Sequence, residues 1–309
     1  MSKKVKIASW AFNGRRLQGK TQEELVDYTI NQVNSLAGCH PDLICLPEIY
    51  LKIGGDNNNP HWLENQARIA ALLQESARRM SCYILNSAYE PSRKYPDFRY
   101  NTAILIDRRG TVVGQYRKNH PVYEESTQAH VLPGCELPIF QTDFGPIGAQ
   151  ICFDIGWREG WAELARQGAR LIVWQSAYDG GNLLNTYAAH NMVYVASSVR
   201  SDHARIIDPT GRTLEMSSDW NGLALAEVNL DLEIFHIDRQ FGKIPALLSA
   251  LGNQVTIRSY SEENIFTVES NSDEWPMSRI KAEFGLMNYR DYHAEATALQ
   301  EEWRRRYAE

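Results

Sequence analysis

Three residues of reactive type close apolar segments in this sequence. Glu48 ends LICLPE, Lys118 ends TVVGQYRK and Cys152 ends PIGAQIC. Strand ends that converge on one edge of a sheet are where α/β proteins build their sites. A thiol at the end of a buried strand has a rigid base behind it and open space ahead. Backbone N–H groups just after it can stabilise negative charge there. Taken alone, Cys152 reads more readily as a small buried hydrophobe, Glu48 as a solvated loop carboxylate and Lys118 as a surface cation. Their joint occurrence at three strand ends is harder to assign to packing.

The elements that position them follow from periodicity. Lys4 to Trp10 predicts a first strand. Thr21 with Glu24 forms a capping box before an apolar face at Val26, Ile30, Val33 and Ala37. Asp42 to Glu48 predicts a strand, and 51–61 a Gly/Asn/Pro loop bordering a site. A helix is expected over Trp62 to Met80, then a strand over Cys82 to Tyr89. Arg109-Gly110 turns a hairpin that delivers Lys118. Pro138 to Thr142 and Pro146 to Ile151 pair as strands, and a helix runs from Trp157 to Gln167. Strand, helix and strand follow at Leu171 to Gln175, Leu184 to Asn191 and Tyr194 to Ser198. Ala204 to Ile207 and Leu223 to Val228 bracket a turn at Asp208 to Gly211. This alternation predicts a layered α/β sandwich with mixed sheets. No internal repeat is visible up to about residue 230. The segment 231–309 reads as a C-terminal extension of a single domain, ending on a charged helix with Leu299, Trp303 and Tyr307 on one face.

Composition sets the outer bounds. The 309 residues are 43% hydrophobic and 23% charged, ordinary values for a globular chain. A net charge of −6 argues against a general nucleic-acid binder. No apolar run approaches the roughly 20 residues of a membrane span, and the start, MSKKVKIASW, has no signal-peptide pattern. Five cysteines (39, 45, 82, 135, 152) without zinc spacing fit reduced thiols in a cytoplasm.

The chain resembles the nitrilase, or carbon–nitrogen hydrolase, superfamily. The matching stretches are LPE (Leu46 to Glu48), YRKNH (Tyr116 to His120), ICFD with Glu159 seven residues after the cysteine, GARLIV and IIDPTGR. They span about residues 4–230 in the family's order. The resemblance implies an αββα four-layer sandwich and a Glu48–Lys118–Cys152 triad. Glu48 would take the thiol proton and later give it to the departing amine. Lys118, with the Phe153 N–H, would stabilise the oxyanion, and Cys152 would attack the carbonyl carbon. No metal or organic cofactor is required. The stretch EEST suggests Glu125, or else Glu124, as a second glutamate, in the style of the β-ureidopropionase branch. Tyr50, Tyr123, Phe153, Gln175, Ser176 and Ala177 are expected to line the substrate site, within a Trp174 to Tyr178 wall. His120 and Glu159 are expected in structural roles.

Departures bear on the substrate. Where N-carbamoyl-D-amino-acid hydrolases grip a carboxylate with a pair of arginines, this chain has Ile155 and Gly156. Phe153-Asp154 follows the amidase and carbamoylase pattern rather than that of nitrilases. AAHNMVYV (Ala188 to Val195) departs from the family sequence at a helix that often forms a subunit contact. The expectation is a cysteine-dependent hydrolase of amides or ureido compounds, acting through a thioester and working as a homodimer or larger homo-oligomer. Nitrile hydrolysis and a silent scaffold are the alternatives. Cys152 is expected to react with iodoacetamide ahead of the other four thiols.

Overall fold

The computed structural model describes residues 4–55 and 61–308. Part of the predicted 51–61 loop, residues 56–60, lies outside the described residues. The chain divides into two compact units, 5–228 and a unit of 229–308 with Lys4.

In the larger unit β1 (Lys4–Trp10) leads through the short α1 (Gly14–Leu17) into α2 (Gln22–Ser35). The capping box holds: the Glu24 N–H donates to Thr21 Oγ1 at 3.2 Å and the Thr21 N–H to Glu24 Oε2 at 2.8 Å. Such a cap is worth about 1 kcal/mol. There follow β2 (Leu43–Cys45), α3 (Trp62–Met80), β3 (Tyr83–Pro91), β4 (Arg99–Ile106) and β5 (Val112–Arg117). After α4 (Tyr123–Thr127) come β6 (Phe140–Thr142), β7 (Gly145–Ile151), α5 (Arg158–Arg166) and β8 (Leu171–Ser176). Then come α6 (Asn182–Asn191), β9 (Tyr194–Val199), β10 (Arg205–Ile207), β11 (Thr213–Met216) and β12 (Leu223–Asn229).

These strands make two six-stranded sheets, ordered β12-β1-β2-β3-β4-β5 and β11-β10-β9-β8-β7-β6. In the first, β1, β2 and β3 are parallel and β4 and β5 antiparallel additions. In the second, β7, β8 and β9 are parallel and β10 and β11 close an antiparallel hairpin. Parallel strands need helical crossovers, and α2, α3, α5 and α6 supply them. Ile69, Leu73 and Ala77, four residues apart on α3, bury against Val26 and Val33 of α2 and Ile44 and Ile84 of the sheet. The sheets meet face to face through polar pins as well as apolar packing. Ser9 Oγ donates to the Ser197 carbonyl at 2.7 Å, and Ser198 Oγ to the Leu46 carbonyl at 2.8 Å. The result is an α/β sandwich of mixed sheets with helices outside.

Two sequence expectations change here. Thr213–Met216, absent from the strand prediction, pairs with β10 around Asp208 to Gly211, whereas Leu223–Asn229 crosses to the other sheet beside β1. β2 stops at Cys45 rather than Glu48, since Pro47 has no N–H for a ladder.

The segment beyond 229 is more than an extension. β13 (Leu232–His236), α7 (Ile244–Leu251), β14 (Val255–Tyr260), β15 (Ile265–Ser270), α8 (Met277–Phe284) and α9 (Tyr289–Arg306) follow. They form an antiparallel sheet, β13-β15-β14, over a core of Phe235, Leu247, Phe266, Val268, Met277 and Ile280. A sheet with its own buried core makes this a second compact unit. Leu299 and Trp303 stand exposed on α9, and Tyr307 is exposed just beyond its end.

Candidate active site

Glu48 sits in the turn after β2. Its next residue, the β-branched Ile49, is held at φ 39°, a conformation that costs such a residue strain. The Ile49 N–H is anchored by Ser87 Oγ at 3.0 Å. This turn swings the Glu48 carboxylate into the protein, where it is 2% exposed. Lys118 directly follows β5, and its N–H is fixed by the Asn101 carbonyl at 2.8 Å. Its ammonium is as deeply buried. Lys118 Nζ donates to Glu48 Oε1 at 2.8 Å and to Glu125 Oε2 at 2.7 Å. Asn101 Nδ2 donates to both carboxylates, at 2.8 Å to Glu48 and 3.2 Å to Glu125. Arg200, at the end of β9, lies 3.7 Å from Glu48 Oε2.

This network fixes protonation states. Burial raises the Glu48 pKa, but Lys118 and Arg200 outweigh it and hold the carboxyl below its ordinary range. Burial also works against the Lys118 charge, yet Glu48, Cys152 and Glu125 together raise the ammonium well above its ordinary value. Glu48 is therefore a carboxylate and Lys118 a cation at neutral pH.

Cys152 begins a 3-10 turn, Cys152–Gly156, directly after β7, at φ 49°. Strain of this kind costs about 1–3 kcal/mol and is found where a side chain is being aimed. Asp154, fully buried, holds the turn. Its carboxylate accepts from the Ile151 N–H at 2.9 Å, the Tyr116 hydroxyl at 2.6 Å and the His120 N–H at 2.9 Å. Trp174 Nε1 donates to the Cys152 carbonyl at 3.1 Å. Burial, then the Glu48 carboxylate, push the thiol up to about 11, against Lys118 and hydrogen bonds from the Ala177 N–H and Ser176. At neutral pH the sulfur is a protonated thiol that feels a nearby base.

The remaining expectations divide. Glu125 is the second glutamate brought to the site; Glu124 stays exposed. Ser176 and Ala177 lie at the Cys152 sulfur. Phe153 is exposed, edge-on to Trp157, and Tyr123 is exposed on α4. Tyr50 does not line the site. Following the Ile49 turn it buries in the core against Phe12, with its hydroxyl on Asn86 at 2.7 Å. Gln175 does not line it either, being fully buried. Its Nε2 donates to the Leu46 carbonyl at 2.7 Å, as strand alternation turns it away from the face of Ser176. His120 is structural: Nδ1 lies 2.9 Å from Asp154 Oδ1 and the ring stacks on Trp157. Glu159 is exposed beside Arg158 in the first turn of α5. Cys135 is an exposed thiol whereas Cys152 is buried. Asn101, Arg200 and the bridging role of Asp154 had no signal beyond residue type, because their positions depend on strand pairing. Among the described residues no cluster of His, Cys, Asp or Glu could hold a metal ion, and no helix is long and apolar enough to cross a membrane.

The carbon–nitrogen hydrolase family matches residues 16–234. The chain belongs to that family. A deaminated glutathione amidase from Synechocystis is 31% identical over 242 residues, covering 68% of this chain and 85% of the relative. An omega-amidase of Xenopus laevis is 24% identical, covering 75% and 87%. The fold is shared with an amidase from Nesterenkonia sp. AN1 that carries an acetamide moiety on its active-site cysteine. That likeness has a TM-score of 0.62 at 18% identity, with 73% of this chain and 90% of the other covered. A carbon–nitrogen hydrolase from Helicobacter pylori G27 aligns with a TM-score of 0.65 at 16% identity, covering 74% and 90%.

Proposed function

We propose that Cys152 is the nucleophile, Glu48 the general base and acid, and Lys118 the electrostatic anchor of an amide-hydrolysing site. What carries the reading is the buried Lys118 ammonium, held at 2.8 Å from Glu48 and 2.7 Å from Glu125 in electrostatic contact with the Cys152 thiol. Burying three charges that tightly is unfavourable unless they are arranged for a task.

Glu48 takes the thiol proton as the sulfur bonds to the carbonyl carbon. The oxyanion is met by Lys118 and by the Phe153 N–H, which opens a helical turn and has no acceptor within it. The C–N bond then breaks, and Glu48 gives its proton to the leaving ammonia or amine. Water attacks the thioester, losing a proton to Glu48. The C–S bond breaks, and the thiolate recovers that proton as the acid leaves. Glu125 holds the far side of Lys118 and borders the place of the attacking water. The five free thiols support a cytoplasmic setting. The exposed apolar face of α9 supports an assembly of two or more copies.

Replacing Cys152 by Ala tests this. Turnover of a small amide should fall at least about 10⁴-fold with the melting temperature preserved. Wild-type protein mixed with substrate should show a thioester adduct by intact mass, mapped to Cys152. An active Cys152→Ala enzyme, or an adduct on another thiol, overturns the assignment.

A further inference from the structure

One uncharged side chain ties the charged ones at the site together. Asn101 lies on β4 and is fully buried. Its carbonyl accepts the Lys118 N–H at 2.8 Å, and its carboxamide donates to both glutamates. Nδ2 carries two hydrogens, enough for one bond to each. The contacts close a ring. It runs from Glu48 Oε1 to Lys118 Nζ, on to Glu125 Oε2, and from Glu125 Oε1 through Asn101 Nδ2 back to Glu48 Oε1. The Val122 N–H donates to Glu125 Oε2 at 3.0 Å and fastens the ring to the start of α4.

This ring makes the two oxygens of Glu48 unequal. Oε1 accepts from both Lys118 and Asn101, at 2.8 Å each. Oε2 accepts no hydrogen bond among the described residues and has only the Arg200 guanidinium, at 3.7 Å. A proton delivered to Glu48 therefore meets one open acceptor, Oε2. Lys118 alone would not keep it so, because the last torsion of a glutamate is broad and two-fold and lets its oxygens exchange. A second donor, from another strand, stops that rotation. Asn101 bears a cost for supplying it. With Nδ2 turned to the carboxylates, its Oδ1 is buried without a partner, which is unfavourable. An amide kept for the fold would be met at both ends; this one is met only where it faces the glutamates.

We infer that Asn101 is a positioning residue for the hydrolysis, locking Oε1 of Glu48 so that Oε2 takes the Cys152 proton. The inference rests on Glu48 as the base for Cys152 and adds the residue that orients it. Loss of the donor has a pH signature. Burial works against the Glu48 charge, and Lys118, Arg200 and the Asn101 hydrogen bond hold the carboxyl below its ordinary range. Lys52 adds to the positive side, while Glu125 and the Cys152 thiol face Glu48 as acids. Tyr89 and Tyr178 are in electrostatic contact with it too, and burial keeps both phenols neutral by pushing each up to about 12. Without the Asn101 donor the Glu48 pKa rises, so falling pH removes the carboxylate sooner.

The test is Asn101→Leu, which keeps the volume and removes both hydrogens, read against Thr102→Val on the opposite face of β4. In Asn101→Leu, kcat for a small amide should fall at least about 30-fold, with KM within about threefold of the wild type. The acid limb of kcat should move up by about half a pH unit or more, and the low-pH loss of Cys152 labelling by acrylamide should move with it. Asn101→Ser, too short to reach both carboxylates, should shift the limb in the same direction and serves if Leu is not accommodated. Thr102→Val should leave kcat and the limb in place, whatever its melting temperature. An unmoved limb, or a kcat within about threefold of wild type per labelled Cys152, makes Asn101 structural. That overturns this inference and leaves Cys152 and Glu48 in their roles. If Glu48→Gln shows the same acid limb of Cys152 labelling as the wild type, the underlying reading falls and this one with it.

Discussion

The two sheets of the sandwich run the same course, and their strand ends carry different chemistry. β1 to β5 and β7 to β11 each join three parallel strands through two helical crossovers and finish on an antiparallel hairpin. Even the hairpin turns agree. Asp107 Oδ1 accepts from the Arg109 and Thr111 N–H groups, and Asp208 Oδ1 from those of Thr210 and Arg212. Gly110 and Gly211 take φ 76° and 84° at the matching positions. This duplication leaves no readable repeat in the sequence, because what is repeated is strand order and turn chemistry rather than side chains.

Counterparts across the two halves show where function departs from scaffold. Glu48 stands five residues beyond Leu43, and Ser176 five beyond the equivalent Leu171. Cys152 stands five beyond Ile147, and its counterpart five beyond Ile7 is Phe12, a core side chain packed on Tyr28 and Tyr50. Lys118 stands eleven beyond Asp107, and eleven beyond Asp208 is the exposed Asp219. The first half thus supplies Glu48 and Lys118, and the second Cys152 with its hydrogen-bond donors and the Arg200 charge. Neither half holds the whole of the proposed set alone. The site exists only where the two faces are pinned together, as by Gln175 and Ser198 on the Leu46 carbonyl.

Substitutions on each half sharpen that contrast. On the first, Lys118→Met removes the cation between the buried Glu48 and the partly buried Glu125 carboxylates. It should lower kcat/KM by about 10³-fold or more, and the repulsion left behind should raise the Glu48 pKa and shift the acid limb of the rate profile upward. Near-normal kinetics would take Lys118 out of the chemistry. On the second, Asp154→Asn keeps the shape of the turn but loses the charge that accepts from Ile151, Tyr116 and His120. We expect a loss of about 10- to 100-fold in kcat and a melting temperature lower by several degrees, measured together by kinetics and calorimetry. A change in melting temperature with no change in kcat would make Asp154 a structural clamp only.

The scaffold was largely legible in the sequence, and so were the three segment ends that carry Glu48, Lys118 and Cys152. α3 runs over the expected Trp62–Met80 because its apolar spacing is helical throughout, and β4 and β5 flank the Arg109-Gly110 turn as the pattern predicts. Glu48, Lys118 and Cys152 were visible because strand ends can be located from local pattern. Side-chain direction beyond a strand end could not be read. Tyr50 turns inward because Ile49 takes a positive φ that no β-branched residue advertises, and Gln175 turns toward the other sheet by one step of alternation. Asn101 and Arg200 reach Glu48 from 53 and 152 positions away, which only strand pairing and sheet packing bring about. The C-terminal core was missed because its strands are short and its closing helix mostly polar.

The central claim is that Cys152 waits as a neutral thiol and loses its proton to Glu48 only as it attacks. The direct test is the rate of Cys152 modification by acrylamide against pH, read by mapped mass in the wild type and in Glu48→Gln. With the Glu48 carboxyl held below its ordinary range and the thiol pushed up to about 11, both groups keep one protonation state across neutral pH. The wild-type rate should be flat from about pH 6 to 9. In Glu48→Gln it should be at least about a hundredfold lower at neutral pH and climb with pH as the unaided thiolate forms. A wild-type rate that itself climbs about tenfold per pH unit through that range, or a Glu48→Gln profile matching it, would contradict the account.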